Sequence, residues 1–160
     1  MPTAVRVGVI SDTHGLLRPE AIAALRGSDH IIHAGDIGDE RILAALRDLA
    51  PVTAVRGNVD REAWARALPE VAEVELGGIR LRVVHIQGAA GSEPGEGGIG
   101  ALIYGHTHVP EVKTEAGVLY LNPGSAGPRR FDLPVGVARI LIRGGKLQAS
   151  LVPLVPLGPA

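Results

Sequence analysis

Residues 4–36 read AVRVGVISDTHGLLRPEAIAALRGSDHIIHAGD, and the order of apolar and polar residues in this stretch decides the fold class. Residues 4–10 (AVRVGVI) predict a strand. Residues 19–26 (PEAIAALR) open on a proline, which suits a first helical turn, and predict a helix. Residues 30–34 (HIIHA) predict a second strand, and the pattern continues with a helix at 39–49 (DERILAALRDL) and a strand at 51–56 (PVTAVR). Strand and helix alternating at this spacing imply parallel βαβ units with right-handed crossovers.

Beyond Asp60 the helical signal weakens. From residue 71 short strand-like runs dominate, at 71–76, 79–85, 101–104, 118–121, 136–142 and 147–152, with Gly77-Gly78 and Gly144-Gly145 placed as hairpin turns. An α/β first half followed by a strand-rich second half predicts an α/β (α+β) fold of two packed sheets with helices outside. No internal repeat or long linker divides the chain, so residues 1–160 are expected to form a single domain. At this length a domain buries roughly two-thirds of its unfolded surface. The stretch from Pro153 to Ala160, with three prolines, is expected to be irregular and on the surface.

Composition narrows the chemistry. With 46% hydrophobic residues, 21% charged residues and a formal net charge of -1, the chain has globular usage and lacks the positive excess of a bulk nucleic-acid binder. There is no cysteine, so disulfides, thiolate zinc sites and thiol nucleophiles are excluded, and any metal must be held by imidazole, carboxylate or amide oxygen. No apolar run reaches the ~18 residues of a membrane span, and the opening run Val5 to Ile10 is too short for a signal-peptide core. These features point to a cytoplasmic protein with no membrane partner. Residues 87–100 (QGAAGSEPGEGGIG) contain a G-x-G-x-x-G at Gly95, Gly97 and Gly100, but no strand runs into it, no helix opens on it and no acid follows at the required distance. It reads as a flexible loop rather than a dinucleotide site.

The informative pattern is where polar residues fall. VGVIS runs into Asp12 and His14, IIHAG into Asp36, VTAVRG into Asn58, LRVV into His85, and ALIYG into His106 and His108. Five predicted strands thus deliver metal-capable side chains at their carboxyl ends, where open α/β sheets place ligands. Any one of these residues alone reads as a satisfied polar group or a turn former; seven together do not. In extended chain, residues i and i+2 share a side, so Asp12 with His14, and His106 with His108, are each expected to act as a pair. Gly35, Gly57 and Gly105 immediately precede Asp36, Asn58 and His106, where a residue without Cβ permits a sharp turn and close backbone approach; they are expected to act as hinges. Four imidazoles, two carboxylates and one amide exceed one tetrahedral ion and suit two divalent ions sharing a carboxylate. Such a pair would keep a positive balance, acidify a water and attract an anionic phosphate. The oxygen-rich set disfavours a redox role. His33 reads as a buried structural or supporting histidine, His30 as an ordinary strand-start residue, and Arg129 and Arg130 as solvated surface residues.

The motifs S-D-T-H (11–14), H-A-G-D (33–36), G-N-V-D (57–60), His85, G-H-T-H (105–108) and N-P-G-S (122–125) resemble, in order and spacing, the calcineurin-like metallophosphoesterase superfamily. The similarity runs from about residue 5 to 142 and is strongest to the small bacterial and archaeal phosphodiesterase branch. The resemblance implies a four-layer αββα sandwich, two mixed β-sheets flanked by helices on both sides. It implies one metal on Asp12, His14 and His108, another on Asn58, His85 and His106, and Asp36 bridging. Mn²⁺ is then the favoured activator, with Fe, Ni or Zn as other occupants. The implied activity is hydrolysis of a phosphodiester or phosphomonoester by a metal-bridging hydroxide, with Asp36, Asn58 and His14 as catalytic residues and Asn58 also contacting the phosphate. The N-P-G-S segment is given a structural role.

Two departures stand out. Val59 occupies the position where many members have a histidine that protonates the leaving group, so acid catalysis is not expected from this position and rates should depend strongly on leaving-group pKa; a flat dependence would point to His14 or a metal-bound water as the donor. Ile86-Gln87 and the glycine-rich loop replace a Gly-His pair and a helix, which bears on substrate shape and oligomer contacts. The expected partner is a small phosphate-ester substrate, with homo-oligomerisation left open. The alternative reading is a protein-binding scaffold, since the superfamily includes a trafficking-complex subunit that has lost part of the site. All seven ligand positions are filled here, which favours the enzyme.

Overall fold

The structure, a computed structural model, describes residues 3–88, 98–130 and 132–154. β1 (Val5–Ile10) leads through α1 (Pro19–Leu25) to β2 (His30–His33), then through α2 (Glu40–Arg47) to β3 (Val52–Ala54). A short turn of helix, α3 (Ala63–Arg66), precedes two strands, β4 (Val71–Leu76) and β5 (Ile79–Val84). The remaining strands are β6 (Ala101–Ile103), β7 (Glu111–Glu115), β8 (Val118–Asn122), β9 (Gly136–Arg143) and β10 (Lys146–Pro153).

The strands form two five-stranded mixed sheets, ordered β10-β9-β1-β2-β3 and β4-β5-β6-β8-β7. β1, β2 and β3 run parallel as the βαβ reading requires, with Val7 opposite His30 and Ile31 opposite Val52. Gly77-Gly78 and Gly144-Gly145 close the expected hairpins, aligning Leu76 with Ile79 and Arg143 with Lys146.

Period-2 alternation sorts the side chains between faces. Val7, Val9, Ile32, Leu81, Val83, Ile103, Leu121 and Ile140 meet in the core between the sheets. The opposite face of β1 and β2 gives Ile10 and Ile31 to a second cluster with Leu25 of α1 and Ile42, Leu43 and Leu46 of α2. Asp39 caps α2, its carboxylate accepting the Arg41 N–H at 2.9 Å. On the outer face of the second sheet, Val84, Ile99, Leu102 and Tyr104 form a smaller cluster. Among the described residues the helices lie with the first sheet. No described helix is long and apolar enough to cross a membrane.

Sequence reading missed β7, whose EVKTE carries no apolar alternation. It is an edge strand held by its register with β8, Glu111 opposite Asn122 and Glu115 opposite Val118. α3 was likewise invisible, being a single turn with Trp64 packed on the second cluster. Pro153 belongs to β10, not to an irregular tail, while residues 155–160 lie outside the described residues. Of the glycine-rich loop, residues 89–97, with Gly95 and Gly97, also lie outside them; Gly100 is described and donates its N–H to Arg80 O at 2.8 Å, packed where a Cβ would strike Ile79.

Candidate metal centre

The chain turns sharply where β1, β2, β5 and β6 end, and the turns are unusual. Asp12, His14, Asp36, His106 and His108 all have positive φ, at 55°, 46°, 55°, 72° and 65°; among other described non-glycine residues only Ala116 does. Left-handed backbone costs a side-chain-bearing residue about 1–3 kcal/mol. The conformation serves geometry, because these turns accompany the convergence of ligand atoms from separate strand ends.

This corrects two expectations. Asp12 with His14, and His106 with His108, are not extended i, i+2 pairs, since all four are left-handed. Nor do the two histidines of G-H-T-H act together as spacing suggested; they stand apart, as the resemblance implies. Potential ligand atoms of Asp12, His14 and His108 lie within 4.8 Å of one another, and those of Asp36, His85 and His106 do the same. The glycines act mainly through space rather than as hinges. A Cβ on Gly57 would overlap Asp36 N and Oδ1, and one on Gly105 would overlap Ser11 Oγ and Asp12 Oδ2. Gly35 combines both properties, with φ of 101° and a Cβ position 2.7 Å from His85 Nδ1.

Supporting hydrogen bonds orient the ligands. Asp12 Oδ2 accepts from Ser11 Oγ at 2.6 Å and from His106 N at 3.1 Å, leaving Oδ1 free. Asp36 Oδ1 accepts from Val59 N at 3.1 Å, leaving Oδ2, which stands 3.6 Å from His14 Nε2 and 3.0 Å from His85 Nε2. His85 Nδ1 donates to Ala34 O at 2.8 Å, which orients the ring and points Nε2 at Asp36.

Burial pushes the Asp12 carboxyl up; the His14 imidazole beside it, the Ser11 hydrogen bond and the His85 and His108 charges outweigh it and leave the group below its ordinary value. Burial likewise raises Asp36, and the adjacent His85 imidazole and the Val59 hydrogen bond bring it below the usual range. For His85, burial pulls downward, and the neighbouring Asp36 and Asp12 carboxylates reverse the shift. His108 is lowered by burial, against the pull of Asp12. Both carboxylates are therefore held in the ligating form.

Residues outside the candidate ligand set hold the loops. Asp60 is buried and accepts from Ile37 N at 3.1 Å, Gly38 N at 3.0 Å and Gly57 N at 2.9 Å, tying the Asp36 turn to the Asn58 turn. The only sequence signal was an acid close behind a ligand. His33 is fully buried, as expected of a supporting residue: its Nδ1 accepts from Gly35 N at 3.1 Å, so Nε2 carries the proton and donates to Thr13 Oγ1 at 3.0 Å. Thr13 in turn donates to Ile37 O at 2.8 Å, and burial pushes His33 down to about 4. The N-P-G-S turn braces two ligand loops at once, Asn122 donating to Gly105 O at 3.1 Å and Ser125 to Asp12 O at 2.9 Å.

Asn58 is exposed beside the second group, next to His85 in a shared cleft. Arg129 is exposed and bonds Leu133 O at 3.3 Å, while Arg130 is exposed and its charge reaches His108. His30 stands outside both groups, bonded to Thr53 Oγ1 at 2.7 Å.

Among the described residues, four buried side-chain atoms have no hydrogen-bond partner: Asp12 Oδ1, His14 Nε2, His85 Nε2 and His108 Nδ1. Buried polar atoms are seldom left unsatisfied, and here all four belong to the two groups. Imidazole and carboxylate donors with lone pairs converging and no thiolate fit a divalent first-row ion.

A family model described as the calcineurin-like phosphoesterase superfamily domain matches residues 5–145. A probable metallophosphoesterase of Methanocaldococcus jannaschii is 37% identical, over 92% of this chain and 81% of that protein. Among solved structures, an archaeal phosphodiesterase superposes with a TM-score of 0.74 at 22% identity, covering 92% of this chain and 100% of the other. Wild-type Vps29 of Entamoeba histolytica, solved in complex with Zn²⁺, gives 0.67 at 21% identity, over 94% and 100% of the two chains. The two mixed sheets and the buried imidazole and carboxylate donors at their strand ends are those of a metal-dependent phosphoesterase, and the chain belongs to the calcineurin-like phosphoesterase superfamily.

Proposed function

We propose that the protein hydrolyses a phosphodiester with two divalent metal ions, one on Asp12, His14 and His108, the other on Asn58, His85 and His106, with Asp36 shared. The observation that carries this reading is the position of Asp36 Oδ2, 3.6 Å from His14 Nε2 in one group and 3.0 Å from His85 Nε2 in the other. When bound, the ions supply acidification of an attacking water and neutralisation of phosphate charge. Asp36 holds the two groups in register through its backbone turn and the Val59 N–H. Asn58, exposed at the edge, offers an amide N–H to a phosphate oxygen. Manganese is the proposed activator, with iron, nickel or zinc able to use the same donors.

Val59 is 48% exposed and has no proton to give, while Asp60 is committed to three backbone N–H groups. We therefore expect rates to depend steeply on leaving-group pKa, since general acid catalysis is typically worth ~10²–10⁴. His14, placed between the two carboxylates, is the side chain proposed to supply a proton should that dependence be shallow. Metal analysis of the purified protein, combined with hydrolysis of bis-p-nitrophenyl phosphate across a series of divalent ions, tests the reading. About two ions per chain and metal-dependent turnover are expected. Stoichiometric metal without turnover would favour the binding-scaffold reading instead.

A further inference from the structure

Aliphatic side chains follow the ligands closely. Val59 comes directly after Asn58, Ile86 after His85 and Val109 after His108, and Leu16 lies two residues past His14; their exposures are 48, 37, 48 and 39%. Isolated exposed apolar residues are ordinary. Four in step with the ligands, at the same strand ends, are not scattered, and apolar surface grouped around a polar site marks a binding surface. One of them, Ile86, lines a cleft of about 210 Å³ that borders His85 and Asn58 and has Val71 and Val84 in its wall. Val71 and Val84 sit directly opposite each other across β4 and β5, so the apolar wall is built into the sheet.

The cleft's charges cancel. Arg56 Nη2 meets Glu70 Oε1 at 2.8 Å, so this pair adds no net charge to select a second anionic group. No aromatic side chain is among the described residues lining the cleft, so there is no platform on which a nucleobase would stack. Its volume falls below the ~300–1,000 Å³ of pockets for drug-sized ligands, which suits a short alkyl chain or a single ring.

We propose that this cleft seats a small uncharged apolar substituent of the substrate, making the substrate class phosphate esters of short alkyl or simple aryl alcohols rather than nucleotides. The proposal rests on the phosphoesterase reading above. Val71, Val84 and Ile86 act as specificity residues, holding the substituent while the phosphate lies at the ligand groups.

The test uses metal-loaded protein and alkyl p-nitrophenyl phosphates from methyl to hexyl, with thymidine 5′-p-nitrophenyl phosphate as the nucleotide arm, on wild type, Val71→Ser and Ile86→Ser. Metal stoichiometry checks that the variants fold. The expected result is a kcat/KM rising about threefold per methylene up to butyl, with a flatter slope in both variants. Calorimetry of methyl- and butylphosphonate gives a readout independent of turnover: butylphosphonate should bind roughly thirtyfold more tightly, and the gap should shrink in the variants. A flat chain-length dependence in an active wild type, or a preference for the thymidine ester, overturns the proposal and leaves phosphoester hydrolysis standing. If metal-loaded wild type cleaves none of the esters, the phosphoesterase reading fails and the phosphonates decide the cleft alone, chain-length-dependent affinity supporting it and uniform affinity overturning it.

Discussion

Two sets of turns in this molecule need left-handed backbone, and they meet the need with opposite residues. The hairpins joining β4 to β5 and β9 to β10 turn on Gly77 and Gly78, at φ of 58° and 80°, and on Gly144 and Gly145, at 57° and 77°. The turns at the other strand ends place Asp12, His14, Asp36, His106 and His108 in the same region of backbone space. In the hairpins conformation selects the residue, because glycine alone enters this region without steric cost. At the ligand turns chemistry selects the residue, and the surrounding fold bears the conformational cost. The four unpartnered buried atoms there are the counterpart of that cost, since a bound ion would satisfy them and offset it.

The strongest way to break this contrast is Asp36→Ala. Because Asp36 Oδ2 faces both groups, the variant should lose both ions by elemental analysis and turnover should fall below detection, whereas His30→Ala should keep both properties. Retention of both ions by Asp36→Ala would refute the shared carboxylate.

Chelation is the next largest effect. An ion at a hundredfold excess over its Kd stabilises the native state by about 2.7 kcal/mol, and for a domain of this size that corresponds to roughly 5–10 °C in Tm. Calorimetric scans with and without chelator should show at least this fall. Equal melting temperatures would mean that the strain at the ligand turns is not relieved by metal.

Asp60→Ala should cost roughly 3 kcal/mol in chemical denaturation, because it strips three backbone donors of their acceptor. It should also weaken metal binding about 10–100-fold, as loss of a supporting partner does. A variant with normal metal affinity would show that the Asp36 turn holds its shape unaided.

Acid sensitivity should likewise sit at the ligand end. His33 has its pKa lowered from 6.5 to about 4 in the folded protein, so the unfolded chain takes up a proton that the folded one refuses. Stability is therefore lost as pH falls below 6.5, by roughly 2 kcal/mol between pH 7 and pH 5. In metal-free protein His33→Gln should show a smaller fall over that interval, and an identical pH profile would place the acid sensitivity elsewhere.

The finest comparison exchanges residue types between the two kinds of turn. Gly78→Ala, whose new Cβ would meet nothing within 4 Å, should destabilise by about 1 kcal/mol through backbone strain alone. In metal-free protein, His106→Gly should be more stable than His106→Ala by a similar amount, since the side chain is exposed and the φ is 72°. If the glycine variant gains nothing over alanine, the ligand turn is not strained.

Much of this was legible in the sequence. The alternation of VRVGVI, PEAIAALR and HIIH determined the parallel β1, β2 and β3, because hydrophobic period and proline placement are local properties. All seven candidate ligand positions could be named, because a strand that ends in a polar, metal-capable residue announces its end. Local spacing did not show how those residues combine; that grouping came only from the family resemblance. His106 and His108 are two residues apart yet belong to different groups, and Asp12 finds its partner His108 across the whole sandwich. Asp60, Asn122 and Ser125 likewise gain their roles only from loops delivered by other strands. The sequence by itself determined which strands form and which residues carry donor atoms, since both follow from local composition and spacing. What spacing and composition could not decide, and tertiary structure did, is which donors meet and where apolar walls stand beside them, because the ligand turns are left-handed rather than extended and the contacts they make are non-local.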